Sequence, residues 1–138
     1  MTETAQTTVQ AEPSQGIEPF KGWLVERGDA IGAKAGAIRN WKSQFRILLE
    51  SARHESEPAV ILNLLRYQAA RNKDWFKDGL LQVVEADLEA CIAKAQKDAA
   101  LSMELIRQLL LYALRAYTYE EERQKQERKQ KEKGGGGD

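Results

Sequence analysis

Apolar residues recur every three or four positions from Ile38 to Tyr117, with hardly any turn residues between them. This spacing places side chains on one face of an α-helix, whereas a strand would need them at alternate positions. The fold is therefore expected to be all-α, a small bundle of four main helices with or without a fifth, short helix near the N-terminus. The four main helices are predicted at 37–53, 58–72, 74–92 and from about 99 onward.

Composition divides the chain into three segments. Residues before 35 are polar and contain Pro13, Pro19 and several glycines, which favour irregular structure. Residues after 119 are charged on every helical face until a run of glycines. The predicted segments are a flexible N-terminal extension with room for a short helix at 20–27 (1–34), a helical bundle domain (35–119), and a charged helical extension with a Gly-rich tail (120–138).

Individual residues refine the predicted helices. Pro58 suits the first turn of the second helix, with Ser56 as its N-cap. Asp74 is expected to cap the third helix, which would then hold Gly79 in its interior at a cost of about 1 kcal/mol relative to alanine. The fourth helix is apolar around most of its circumference. That pattern predicts a central position in the bundle and a share in a subunit interface.

Size and cysteine content limit the class of protein. A chain of 138 residues has room for one domain, and no apolar run approaches the roughly 18–20 residues of a membrane span. The first fifteen residues lack the apolar stretch of a secretory signal. Cys91 is the only cysteine, which excludes an internal disulfide and fits a reducing compartment. The expected location is the cytoplasm.

Side chains that could carry catalysis or bind metals are sparse. His54 is the only histidine and has no cysteine near it, which makes a poor metal site. Cys91 falls on an apolar stripe, so it is expected to be a small core residue rather than a nucleophile. Glu85, Asp87 and Glu89 have no second carboxylate pair or Glu-x-x-His to form a metal site, and are expected on a solvated or partner-facing surface. We therefore expect no catalytic activity, no cofactor and no metal.

Basic residues are concentrated in the first two main helices. Between residues 35 and 73 there are seven basic residues against three acidic ones, although the whole chain has 21 of each. Arg39, Lys42 and Arg46 are three and four positions apart, and Arg53 follows seven later, so all four share one helical face. Such a stripe suits a phosphate backbone. A solvated outer face explains the same pattern equally well.

Tyrosines mark two further positions. On the second helix, Tyr67 offers a flat face and Arg71, one turn later, a fork of donors for a ribose-phosphate. An aromatic ring at the edge of the core, covered by an arginine stem, would give the same spacing. On the fourth helix, the segment from Tyr112 to Tyr119 is rich in tyrosine and small residues. This favours close helix packing, with Tyr117 in the core.

Three short motifs, taken in order, resemble the small helical subunit of type III-A CRISPR–Cas effector complexes, the Csm small subunit. That family has a Ser-x-x-Arg on an early helix, a Tyr-x-Ala-x-Arg-like close of the next, and an Ala-Tyr-x-Tyr-like end to its last. The matching residues here are Ser43 and Arg46; Tyr67, Ala69 and Arg71; and Ala116, Tyr117 and Tyr119. The resemblance covers roughly 36–122 and does not distinguish the III-A subunit from relatives in other type III subtypes.

The resemblance implies a non-catalytic subunit that stacks in several copies along guide RNA and target RNA. Its protein partners would be copies of itself and the backbone and large subunits of the complex. Base pairing with the guide would read the sequence, while the protein would sense phosphates and shape. The side chains predicted to contact phosphate are Arg46 and Arg71, followed by Arg39, Lys42, Arg66 and Arg115.

Two other functions fit the sequence. A helical protein–protein adaptor in an unrelated assembly would use the apolar surface of the fourth helix and would make no RNA contact. A small enzyme with an unrecognised site is disfavoured by the lack of paired histidines, cysteines or metal ligands.

Overall fold

The computed structural model describes residues 16–38 and 41–136, with the backbone alone at Trp75 and 134–136. Within these ranges there are five α-helices, two short 3-10 helices and no strand, which confirms the predicted all-α class. The α-helices are α1 (Lys21–Ala35), α2 (Trp41–His54), α3 (Pro58–Arg71), α4 (Leu80–Lys94) and α5 (Ala99–Gly136). The 3-10 helices are Glu18–Phe20 and Lys73–Phe76.

The N-terminal half of α5 forms the centre of the bundle. It contacts each of the other four α-helices, so the predicted central position is confirmed. Its buried side chains point to several sides, because neighbours surround it. They are Met103, Leu105, Ile106, Leu109, Leu110, Ala113 and Tyr117. Cys91 of α4 is fully buried in the same core, and burial raises the pKa of its thiol to about 12, as expected of a core residue rather than a nucleophile.

Helix α1 is the main departure from the predicted organisation. The sequence pattern predicted a short helix at 20–27 in a flexible extension, but α1 continues to Ala35 and makes the most extensive helix–helix contact of the bundle, with α5. Leu24 and Ile31 are fully buried there. The bundle therefore begins before residue 35, and that predicted domain boundary is wrong. Residues 1–15 lie outside the described part of the chain.

The close approach of α1 to α5 explains the glycines that suggested an irregular segment. Gly28, Gly32 and Gly36 are four residues apart, so they lie on one side of the helix. A Cβ atom at Gly32 would stand 2.5 Å from the Cβ of Ala116 and 2.7 Å from the backbone nitrogen of Tyr117. Glycine is needed here because the two backbones nearly touch.

The junction between α3 and α4 also differs from prediction. Asp74 lies in the 3-10 helix Lys73–Phe76 and does not cap α4, which begins at Leu80. Gly79 is the residue before that helix, in the left-handed conformation with φ +80°. The glycine predicted inside a helix thus forms the turn before it, where its lack of a Cβ is useful. Phe76, left outside α4, packs against Trp41 at the start of α2 with ring centroids 5.0 Å apart.

Beyond Tyr119 the last helix continues as the predicted charged extension, and side chains from Lys125 to Lys133 are exposed. Arg123 contacts Glu120 on one side and Glu127 on the other. Exposed pairs of this kind contribute a few tenths of a kcal/mol each.

Candidate nucleic-acid interface

The predicted phosphate contacts do not share one surface. Arg39 lies outside the described residues. Lys42 and Arg46 are on α2, Arg66 and Arg71 are on opposite sides of α3, and Arg115 is on α5 beside α1. Whether each side chain is free to bind a phosphate therefore depends on the charged groups around it.

The basic stripe on α2 is divided by an acidic residue. Arg53 lies 3.3 Å from the carboxylate of Glu50, and His54 lies 3.1 Å from the same carboxylate. Arg46, one turn before Glu50, is exposed and forms no ion pair in the described part of the chain. The unneutralised charge of the stripe is thus at its N-terminal half, with Lys42 and Arg46.

Arg66 and Arg115 are poorly suited to phosphate. Arg66 bridges from α3 to α4, where it contacts Glu85 and lies 3.7 Å from Glu89. Arg115 lies over the ring of Tyr112, 5.9 Å from its centroid, in a groove that also contains the carboxylates of Asp29 and Glu120. An anion approaching either arginine would meet these carboxylates at close range.

The acidic residues of α4 form only part of the solvated or partner-facing surface that the sequence suggested, because Glu89 is exposed and Glu85 partly exposed, whereas Asp87 is buried. Glu85 and Glu89 face Arg66, as described above, and Asp87 is 7% exposed. Both carboxylate oxygens of Asp87 lie 3.0 Å from Nε of Arg27 on α1. Burial raises the pKa of Asp87, and the hydrogen bond and charge of Arg27 oppose that rise. This pair ties α1 to α4 and belongs to the core.

Tyr67 and Arg71 form an exposed pair at the end of α3. The Arg71 guanidinium lies 5.6 Å from the centroid of the Tyr67 ring and donates a hydrogen bond of 3.3 Å to its hydroxyl. The tyrosine is 53% exposed and is not among the side chains that pack against the core. A ring and a guanidinium in this arrangement can stack on a base and bind a phosphate at the same time.

The order of the helices brings further cations to the same end of the bundle. At this end of the bundle, α1 and α3 end and α2 and α4 begin. The Trp41–Phe76 contact shows this, and so does Gly79, where a Cβ atom would lie 4.0 Å from Cε of Lys34. We call this the basic end. Its cations are Lys34, Lys42, Arg71, Lys73 and Lys77. None of the five forms an ion pair within the described ranges, although Asp74 and Asp78 lie in the same turn.

Two of these lysines could not be assigned from the sequence. Lys34 and Lys77 are 43 positions apart, and neither belongs to a basic run. Each lies next to a helix end. The only sequence feature that could have placed them together is the antiparallel order of the helices, which brings the ends of α1 and α3 beside the starts of α2 and α4. Lys73 belongs to the surplus of basic residues between positions 35 and 73, but the sequence did not predict it as a phosphate contact.

The hydroxyl of Tyr117 organises the start of α2 at this end. It accepts a hydrogen bond of 3.2 Å from the backbone N–H of Trp41 and donates one of 3.4 Å to the carbonyl of Ile38. Burial raises the pKa of this phenol. A core tyrosine of α5 thus holds the connection from α1 to α2, next to Lys42.

Removing that hydroxyl should loosen the connection. Tyr117→Phe is expected to lower the free energy of unfolding by about 1–2 kcal/mol, since buried backbone groups lose a partner. Tyr119→Phe is the matched control, because Tyr119 is 69% exposed two residues away. Urea denaturation followed by circular dichroism compares them, and equal stability of the two variants would contradict the role assigned to Tyr117.

No family model, curated protein or solved structure matches the chain. Across residues 16–38 and 41–136, no helix is both long enough and apolar enough to cross a membrane. In the same ranges, no three His, Cys, Asp or Glu side chains converge in a way that could hold a metal ion.

Proposed function

We propose that this protein is a non-catalytic small subunit of a type III CRISPR RNA-guided effector complex in the cytoplasm. Several copies would stack along the guide RNA and target RNA, in contact with the backbone and large subunits. The observation that carries the proposal is the basic end, where five cations, Arg71 among them, form no ion pair within the described ranges and share one end of the bundle with the exposed ring of Tyr67. It adds to the three motifs that resemble the Csm small subunit.

The chemistry of the basic end fits a single-stranded or A-form backbone. Lysines supply point charges for phosphates, Arg71 supplies two parallel donors, and Tyr67 supplies a ring face for a base or ribose. These contacts fix the position of the RNA without reading its sequence. In this proposal Arg71, Lys42 and Lys73 are the principal contacts. Arg66 is left out because it already contacts Glu85, and Arg115 because it lies over the ring of Tyr112 in the groove between α1 and α5.

Recovery of bound RNA tests the proposal directly. The tagged full-length chain would be purified from its native cells, with mass spectrometry of proteins and sequencing of RNA. We expect effector subunits together with repeat-derived guide RNAs. Protein partners without RNA would reject the proposal and favour a helical adaptor in another assembly.

A matched pair of arginines on α3 tests the contact itself. In the assembled complex, Arg71→Ala should weaken RNA binding for all sequences and reduce the slope of log affinity against log salt by roughly 0.7–0.9 for each contacting copy. Arg66→Ala removes the same charge from the same helix, but one already neutralised by Glu85, and should leave the slope unchanged. Titrations of labelled RNA at several salt concentrations measure both. Identical slopes for the two variants would show that Arg71 does not contact phosphate.

A further inference from the structure

The outer side of α2 carries an aliphatic surface that the basic end does not use. A shallow depression of about 750 Å³ follows this helix, bordered by Leu64 of α3 and Leu114 of α5. Ile47, one of its lining residues, is 40% exposed. Val60, one turn before Leu64 on α3, is 41% exposed. We call Ile47, Leu49, Leu64 and Leu114 the α2 face. Ile47 is exposed, Leu64 and Leu114 are partly buried, and Leu49 closes the floor of the depression as a buried residue. A partly exposed aliphatic surface rimmed by charges can serve as an interaction site.

The charges around the α2 face favour an acidic partner. Arg46 borders the depression and has no carboxylate partner among the described residues. The nearby carboxylate of Glu50 is already shared by Arg53 and His54. An incoming carboxylate would therefore find a free guanidinium, whereas an incoming lysine or arginine would have to compete for Glu50. A guanidinium can bind a carboxylate through two parallel hydrogen bonds.

The lining of the depression favours protein over RNA. Its apolar side chains are all aliphatic, and no aromatic ring among its lining residues offers a face for a base. Phosphates and riboses offer little apolar surface, and the bases find no aromatic ring to stack on here, so an RNA strand would cover Ile47 and Leu64 less well than a protein would. Aliphatic or aromatic side chains of a protein helix would cover them.

We propose that the α2 face binds an amphipathic helix of a partner protein, which packs apolar side chains on Ile47 and Leu64 and places a carboxylate on Arg46. This assigns to a protein contact the arginine that the sequence had predicted as an RNA contact. The proposal does not depend on RNA binding at the basic end and would hold in an adaptor as well.

Photo-crosslinking at matched positions tests the partner class. The crosslinking amino acid p-benzoylphenylalanine replaces Ile47 in one full-length chain and Val25 in another. Val25 is a suitable control because it is 41% exposed, about as much as Ile47, but lies on α1. Assemblies are irradiated after purification from native cells, and the crosslinked peptide is sequenced. We expect position 47, and not position 25, to capture one protein segment with apolar residues at helical spacing and at least one Asp or Glu. A crosslink to RNA, to no macromolecule, or to a segment without a carboxylate would overturn the proposal.

Charge exchange tests the role of Arg46. Arg46→Glu should lower the yield of the captured segment by about tenfold or more, and replacing the facing carboxylate of that segment with lysine should restore it. Ile47→Asp should lower co-purification of the same partner to a similar degree, while Val25→Asp should not. Circular dichroism first establishes that each variant is folded. Unchanged yields in Arg46→Glu, or a loss that the reciprocal exchange fails to restore, would overturn the assigned contact.

Discussion

Replacing Gly32 with alanine is expected to destabilise the protein by about 1–3 kcal/mol, because the new methyl group has no space between α1 and α5. Its Cβ would stand 2.5 Å from Cβ of Ala116, 2.7 Å from the backbone nitrogen of Tyr117 and 2.9 Å from the carbonyl oxygen of Ala113. Two of these are backbone atoms of a buried helix, so α1 itself has to move. That movement would disturb the most extensive helix–helix contact of the bundle.

The same helix contains the control. Gly22 has no atom within 4 Å of a Cβ placed on it, so Gly22→Ala should stabilise α1 by up to about 1 kcal/mol through helix propensity alone. The two variants carry the same chemical change in the same helix and should differ by about 1–4 kcal/mol. Urea denaturation of both, followed by far-UV circular dichroism, measures the difference. A Gly32→Ala variant as stable as Gly22→Ala would mean that α1 does not pack on α5 at this distance.

Local patterns were sufficient for helix α3. Helix α3 begins at the predicted Pro58 and ends at Arg71, one residue before the prediction, because proline and the apolar spacing are both local signals. Its N-cap is Glu57 and not the predicted Ser56, and no side chain caps the helix. Helix α1 was misjudged because its glycines have two physical roles. Glycine interrupts an isolated helix, but at four-residue spacing it also allows two helices to approach. Only the partner residues on α5, Ala113 and Ala116, decide between the roles, and they are far away in sequence.

The candidate site shows the same division between local and distant information. The Tyr67–Arg71 contact follows from a spacing of four on one helix, and sequence spacing was enough to predict it. The neutralisation of Arg66 by Glu85 crosses from α3 to α4 and depends on how those helices turn toward each other. The gathering of Lys34 and Lys77 depends on which helix ends meet. The number of basic residues in a segment therefore predicts a basic surface, but it does not show which of those side chains lack an acidic neighbour and are free to bind an anion.

Sequence patterns did not reveal the Arg27–Asp87 ion pair. Removing one partner of this pair is expected to lower the free energy of unfolding more than breaking the exposed Arg66–Glu85 pair. Arg27→Met keeps much of the aliphatic stem but leaves the Asp87 carboxylate buried without its counter-charge. Breaking a buried pair in this way costs about 3–5 kcal/mol. Because the Arg27 side chain is 32% exposed and that of Asp87 11%, we expect the lower part of this range at pH 7. Arg66→Met breaks an exposed pair and should cost less than about 1 kcal/mol.

The loss in Arg27→Met should shrink on acidification, and the direction follows from the pKa of Asp87. Burial already raises this pKa in the folded protein, and Arg27 opposes the rise, so removing Arg27 raises it further. The folded variant then keeps a proton that the unfolded chain releases above its ordinary pKa of about 4. Its free energy of unfolding therefore falls as the pH rises from about 4 toward the folded pKa. Urea denaturation from pH 4 to pH 8 should show this fall in Arg27→Met and not in Arg66→Met.

A second substitution separates the unpaired charge from lost packing. In the Arg27→Met background, Asp87→Leu replaces the buried carboxylate with an apolar group of similar size. If the unpaired carboxylate causes the loss, the double variant should recover most of the stability at pH 7 and lose the pH dependence, since apolar replacements of buried ion pairs are often neutral or stabilising. A double variant that remains as unstable as Arg27→Met at every pH would instead attribute the loss to the packing of the arginine stem between α1 and α4.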